Sequence, residues 1–397
     1  LDRQSLSYTL DKIIPIFTYI FFAFSVISIA GTQISLGFVF VLSILKVLLN
    51  RKWYFHHTSL DWAFLFFILA YFLSTFFSSD IAQSLKHFKN LLLILALYLV
   101  AFNLRTVKQI RIAADTLVIT ATVMAFFGIL MTDIGDGKRV MGLQSTTMTW
   151  GALSAIFTLI TASLFLFGVK NKKRWFYLGA FIIQLISMIF SYVRGSWIGF
   201  IAGIIVLSLL KSKKIFFAGL ILVVLVFLLA PPMIQHRILS ITDLSVGSTQ
   251  VRFTQWRNAI EIFKDHPITG VGWIDLLEVH REYAPPGADL SYQAYQIGHF
   301  HNNYVMFLVC FGVMGLIAGL FLVFQLFRTN VRILKSIPKD DYFLSALSLG
   351  VIAMLTAFWV NGLFDWTFGD AEPVTLLWAV VGLGIAAGQV MKSKELK

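Results

Sequence analysis

Two histidines, His299 and His301, stand in the stretch GHFHNNY at residues 298–304, where a polar segment meets an apolar run. Imidazole titrates near neutral pH, which makes it the natural side chain for general-base work there. The other role open to such residues is that of hydrogen-bonded structural groups. An H-x-H pair could ligate a metal, but no nearby Cys or H-E-x-x-H pattern supplies the remaining ligands, so no metal centre is expected. Asp365 is placed either to orient a histidine or to cap a helix. The sequence has no G-x-S-x-G, P-loop or dinucleotide fingerprint.

Arginines form the second group. Arg194 lies in SYVRGSW between two apolar runs. It reads equally as an anchor whose head reaches the membrane interface or as a guanidinium turned into a cavity by the tight turn that Gly195 allows. Arg252 and Arg257 follow in a long polar stretch, Arg139 sits beside Lys138, and Lys86 and Lys89 lie in another loop. A planar guanidinium makes paired, charge-assisted hydrogen bonds to phosphate. Arg257 is expected on a solvated helix face. Spacing alone does not bring the other cations together.

The elements that carry these residues are set by composition. Of 397 residues, 58% are hydrophobic and 13% charged, about half the charge of a soluble domain. Too little polar surface remains to cover a globule of this size. The composition excludes a soluble enzyme, a disordered chain and a nucleic-acid-binding domain. One cysteine, Cys310, excludes an internal disulfide. Apolar runs long enough to span a bilayer fall at roughly 13–30, 32–49, 61–78, 88–103, 112–130, 149–168, 176–193, 195–210, 215–232, 301–327, 343–361 and 374–390. None alternates in polarity as a barrel strand would. The expected fold is an all-α membrane protein of about twelve transmembrane helices, a single polytopic unit over 1–397. The first run is expected to be a retained span rather than a signal peptide.

With both termini on the cytoplasmic side, the inner segments hold 22 of the 32 basic residues and 7 of the 20 acidic ones. That asymmetry is the usual topogenic signal, so the excess of positive charge does not point to nucleic acid. Residues 233–300 form the one long outer loop, between spans nine and ten. Within it, 252–264 has the spacing of an amphipathic helix, and Pro267, Gly270, Gly272, Pro285, Pro286 and Gly287 punctuate the rest.

Three stretches together resemble the O-antigen ligase family, whose fold is shared with O-antigen polymerases. SYVRGSWIG at 191–199 is similar to S-x-S-R-G-x-W/L-x-G. VRFTQWRNAIEIFKDHPITGVGW at 251–273 is similar to R-x-x-x-W-x-x-A followed by P-x-x-G-x-G. His301-Asn302, with nine residues before Gly312-Val313-Met314-Gly315, resembles H-N-x9-G-x-x-G. RVMGLQSTTMTWGA is a fainter match to an R-x-x-G segment. Tyr192 and Val193 depart from the small polar residue often found before the arginine. Leu316 departs from the Thr of many ligases.

The resemblance implies a glycosyltransferase in the inner membrane of a Gram-negative bacterium. It would pass a glycan from undecaprenyl diphosphate to the lipid A–core on the periplasmic face, with no metal or other cofactor. It assigns His301 as the base and Arg194, Arg252, Arg139 and Lys86 as diphosphate binders. Asn302, Asp365, His299 and Arg257 are secondary candidates. The nearest rival is the polymerase, which uses a second lipid-linked glycan as acceptor. A ligase-like protein glycosyltransferase and a transporter are further alternatives.

Overall fold

The computed structural model describes residues 3–395 except 242, 244 and 246, and nothing is stated of the side chains of Val226, Lys394 and Glu395. Three positions of the long loop and Lys397, counted among the inner cations, therefore lie outside the described residues. Helices α1 to α9 run Arg3–Phe24, Ile29–Asn50, Asp61–Phe76, Ile81–Asn103, Val107–Met131, Thr147–Gly168, Lys173–Ile189, Arg194–Lys211 and Lys213–Leu229. The long loop folds into α10 (Pro232–Leu239), α11 (Gly247–Asp265) and α12 (Leu277–Glu282). Helices α13 (Asn303–Ser336), α14 (Tyr342–Asn361) and α15 (Ala371–Glu395) complete the bundle. No strand occurs among the described residues.

Each expected apolar run falls on a helix, but the helices differ in reach. Nine among the described residues are long and apolar enough to cross a bilayer. The other three expected runs fall on α3, α7 and α9, of 16 or 17 residues. At ~1.5 Å per residue these rise about 25 Å, short of a core about 30 Å thick. The run expected at 88–103 starts earlier, at Ile81, and is broken by a tight turn at Leu92–Ile94.

Helices α6, α14 and α15 form the centre, buried along nearly their whole apolar lengths. Helix α8 packs closely along α14 because glycines recur every fourth residue on one of its faces. A methyl group added at Gly199 would stand 2.6 Å from the Ala357 carbonyl oxygen, and one at Gly203 would stand 2.9 Å from that of Ala353. Small residues at this spacing let two membrane helices approach backbone to backbone. The same contact brings Gly195 against Asn361 and Phe364, so Arg194 is delivered to the hairpin between α14 and α15.

Helix α13 is two helices joined at Gly312, whose φ of 65° and ψ of −164° no side-chain-bearing residue adopts easily. The loop segment 267–272 docks in that break. Val271 and Gly272 donate N–H groups to the carbonyls of Val309 and Cys310, both at 3.0 Å, and Val313 N–H returns to the Pro267 carbonyl at 2.9 Å. The glycine-rich segment and the glycine following His301 thus form one joint, which satisfies backbone groups that the broken helix leaves free. Helix α11 lies over it with Val251, Gln255, Asn258, Ala259 and Ile262 buried, as its periodicity predicts.

Candidate active site

His301 sits immediately before α13, fixed by its two neighbours. Asn302 caps the helix, its side-chain oxygen accepting the N–H groups of Tyr304 at 2.8 Å and Val305 at 3.1 Å, while its amide donates to the Leu363 carbonyl at 3.1 Å. Asn303 donates its backbone N–H to the Gly362 carbonyl at 2.7 Å and accepts the Phe368 N–H on its side-chain oxygen at 3.0 Å. Asn302 is therefore a structural residue that ties the histidine segment to the α14–α15 hairpin.

That hairpin carries Asp365. Its Oδ1 lies 3.0 Å from His301 Nδ1 and accepts the Trp366 N–H at 3.0 Å. Burial alone would raise the Asp365 pKa. The hydrogen bond from His301, the charges of His301 and His299 and the Trp366 N–H outweigh it and lower the pKa. An ionised carboxylate only accepts, so Nδ1 of His301 carries the proton and Nε2 keeps its lone pair. Of the two roles open to Asp365, orienting the histidine is the one its geometry fills. His299 packs edge-on against His301 with ring centroids 4.8 Å apart. Burial, then the His301 charge, lower its pKa to about 4.

The arginines gather at the N-terminal end of α8. The turn between α7 and α8 puts Tyr192 at φ 57°, an uncommon conformation for a bulky side chain. It directs consecutive carbonyls at two guanidiniums: Ser191 accepts from Arg139 Nε at 2.9 Å, and Tyr192 from Arg237 Nε at 3.3 Å. Arg194 donates to the Ser240 carbonyl and to the hydroxyls of Ser248 at 3.0 Å and Thr249 at 3.4 Å, with Asp243 within electrostatic range. Arg252, on α11, donates to the Phe364 carbonyl at 3.1 Å, next to Asp365. Burial lowers the pKa of Arg139, Arg237 and Arg252, and Arg194, Arg139 and Arg252 depress Arg237 further.

Guanidiniums stay charged in proteins, and Asp243 and Asp365 are the only acids acting appreciably on these four among the described residues. Arg139 Nη2 is buried without a hydrogen-bond partner. The result is a concentration of positive charge suited to a multiply charged anion.

Arg139, Arg194 and Arg252 are thus brought together, and His301, His299 and Asp365 lie beside them. Lys86 and Arg257 are not. Lys86 is exposed and contacts neither the arginines nor the dyad among the described residues; its helix is held to the 273–275 segment through Gln83 and Ser84. Arg257 lies on the exposed face of α11. Arg237, which the sequence marks only as an outer cation, joins the cluster. Its signal is the apolar spacing of Ile234, Ile238 and Ile241, which lays α10 on the bundle and fixes where Arg237 points.

The family model described as O-Antigen ligase matches residues 179–320, a stretch holding α8, the long loop, His301 and the Gly312 break. Among curated proteins none matches. One chain of a solved structure, titled "Structural coordination of polymerization and crosslinking by a peptidoglycan synthase complex", is similar over 87% of this chain and 100% of its own, at 14% identity and a TM-score of 0.46. The motifs around Arg194, Arg252 and His301 all fall inside the matched stretch, so this part of the multi-pass chain is similar to the O-antigen ligase family.

Proposed function

We propose that the protein is an O-antigen ligase of the Gram-negative inner membrane, transferring a glycan from undecaprenyl diphosphate to lipid A–core on the periplasmic face. The observation that carries this reading is the His301–Asp365 pair beside four converging arginines. The acceptor hydroxyl gives its proton to His301 Nε2 as its oxygen attacks the anomeric carbon. The bond from that carbon to the diphosphate oxygen breaks, and the diphosphate leaves with the electron pair. Asp365 stabilises the imidazolium that forms, and Arg139, Arg194, Arg237 and Arg252 stabilise the leaving diphosphate. A single base with no second nucleophile makes the displacement direct and inverting. No metal or nucleotide enters any step.

The lipid part of such a donor has a place to lie. An almost wholly apolar cavity of about 470 Å³ is walled by α6 to α10, with Met188, Trp197, Phe216, Ile234 and Ile238 in its lining. Ile238, which lines it, is the residue after Arg237 on α10, so the same short helix contributes to the cavity and to the cationic cluster. An isoprenoid chain in the cavity with its diphosphate on the arginines matches both chemistries.

The deciding experiment is the lipopolysaccharide pattern of a strain deleted for this gene. Loss of capped lipopolysaccharide with accumulation of long lipid-linked polymer supports the ligase. A cap of one repeat makes the protein a polymerase instead, and an unchanged pattern overturns both.

A further inference from the structure

Metal-ligating atoms of His299, His301 and Asp365 all lie within 4.8 Å of one another. With ligand bonds of about 2.0–2.1 Å, neighbouring donors around a tetrahedral zinc ion stand roughly 3.3 Å apart. His301 Nδ1 and Asp365 Oδ1 already stand 3.0 Å apart. The two edges that end on His299, neither longer than 4.8 Å, close if its ring swings by up to roughly 1.5 Å toward them. Nothing opposes that swing through lost bonding, because the His299 side chain makes no hydrogen bond among the described residues; only its carbonyl is engaged, by Gln255. Two imidazoles and one carboxylate are a three-ligand zinc set that leaves a fourth position for water. Imidazole donors favour a zinc-type ion over magnesium or calcium, which take oxygen ligands. The third donor arrives from 64 residues beyond His301, which is why the H-x-H spacing by itself does not reveal the set.

We propose that His299, His301 and Asp365 form a site for one divalent transition-metal ion of zinc type, and that its binding silences the His301–Asp365 dyad. The silencing rests on the reading of His301 as the base. Neutral imidazole carries one N–H. When Nδ1 binds the ion, the proton must sit on Nε2, the nitrogen that has to accept the proton of the incoming hydroxyl. The ion also takes the Asp365 oxygen that orients the ring. The Arg252 charge near Asp365 opposes a cation, which makes the site weaker than a structural zinc site.

The test uses purified full-length protein in nanodiscs, stripped with chelator and titrated with Co²⁺ as a spectroscopic probe and Zn²⁺ as competitor. Transfer from a lipid-linked donor is assayed alongside. One Co²⁺ per chain should bind with the visible absorption of a four-coordinate ion and be displaced by Zn²⁺. Saturating zinc should cut transfer at least tenfold, and chelation should restore it. His299→Ala should weaken metal binding at least tenfold and raise the zinc needed for half-inhibition in proportion, relative to its own zinc-free rate. His299→Asn, closer in shape, repeats the test if the alanine variant folds poorly. Absence of stoichiometric Co²⁺ binding overturns the proposal. So does binding unchanged in both His299 variants, or bound zinc that leaves transfer unchanged or raises it. A fully active His301→Ala variant would defeat the base reading alone, while the wild-type cobalt spectrum would still decide the metal site.

Discussion

At the scale of single residues, the guanidiniums divide by what holds them. Arg194 uses both terminal nitrogens on separate oxygens, which fixes its plane. Arg194→Lys keeps the charge but replaces a flat fork with a flexible point charge. It is expected to lose at least about tenfold in transfer, by analogy with a lost charge-assisted bond of ~1.5–3 kcal/mol. Wild-type transfer at normal expression would show that Arg194 is only an interface anchor. Arg237→Ala should likewise weaken donor binding several-fold, whereas Arg257→Ala, on the exposed face, should not; equal defects in the two would contradict the grouping. Residue type and family resemblance single out His301, Arg139, Arg194 and Arg252 in the sequence, and the fold brings these four together. Arg237 is not singled out there, because a cation on a short loop helix looks like any solvated charge until its apolar neighbours fix its direction. Lys86 is the converse case: a cation of an expected outer loop that the fold leaves exposed and apart from the arginines.

At the scale of elements, apolar length marks every helix of the bundle, but it does not show which helices touch. The contact of α8 with α14 depends on glycines four residues apart, a pattern whose meaning needs the partner's backbone. The break in α13 is visible in the sequence as a glycine in a resemblance motif, but not as a joint with the loop. Gly312→Ala tests that joint. Its backbone conformation costs a residue with a Cβ about 1–3 kcal/mol, and the added methyl would stand 2.1 Å from the Ile268 carbonyl oxygen. The variant should unfold at lower temperature than wild type in detergent. It should also lose activity, since the half-helix before the break carries His301 at its start. An unchanged Tm would mean that the joint is not under the constraint described.

At the scale of the whole molecule, the basic residues and the site make one consistent reading of orientation. If the cation-rich loops face the cytoplasm, the arginine cluster and the dyad face the periplasm, where lipid-linked glycans meet their acceptors. Reporter fusions after residues 110, 171, 212 and 335 should then report cytoplasm, and one near 289 should report periplasm. A periplasmic signal at 212 would invert the bundle and remove the site from its proposed substrates.

The central claim is that His301 takes the proton of the acceptor hydroxyl. Its most direct test is transfer by purified His301→Ala, with donor binding measured on the same preparation. A general base contributes roughly 10²–10⁴-fold to a rate. The account predicts a loss of transfer in that range, with donor affinity close to wild type because the arginines are untouched. Transfer at the wild-type rate, or a loss explained wholly by weaker donor binding, would contradict it.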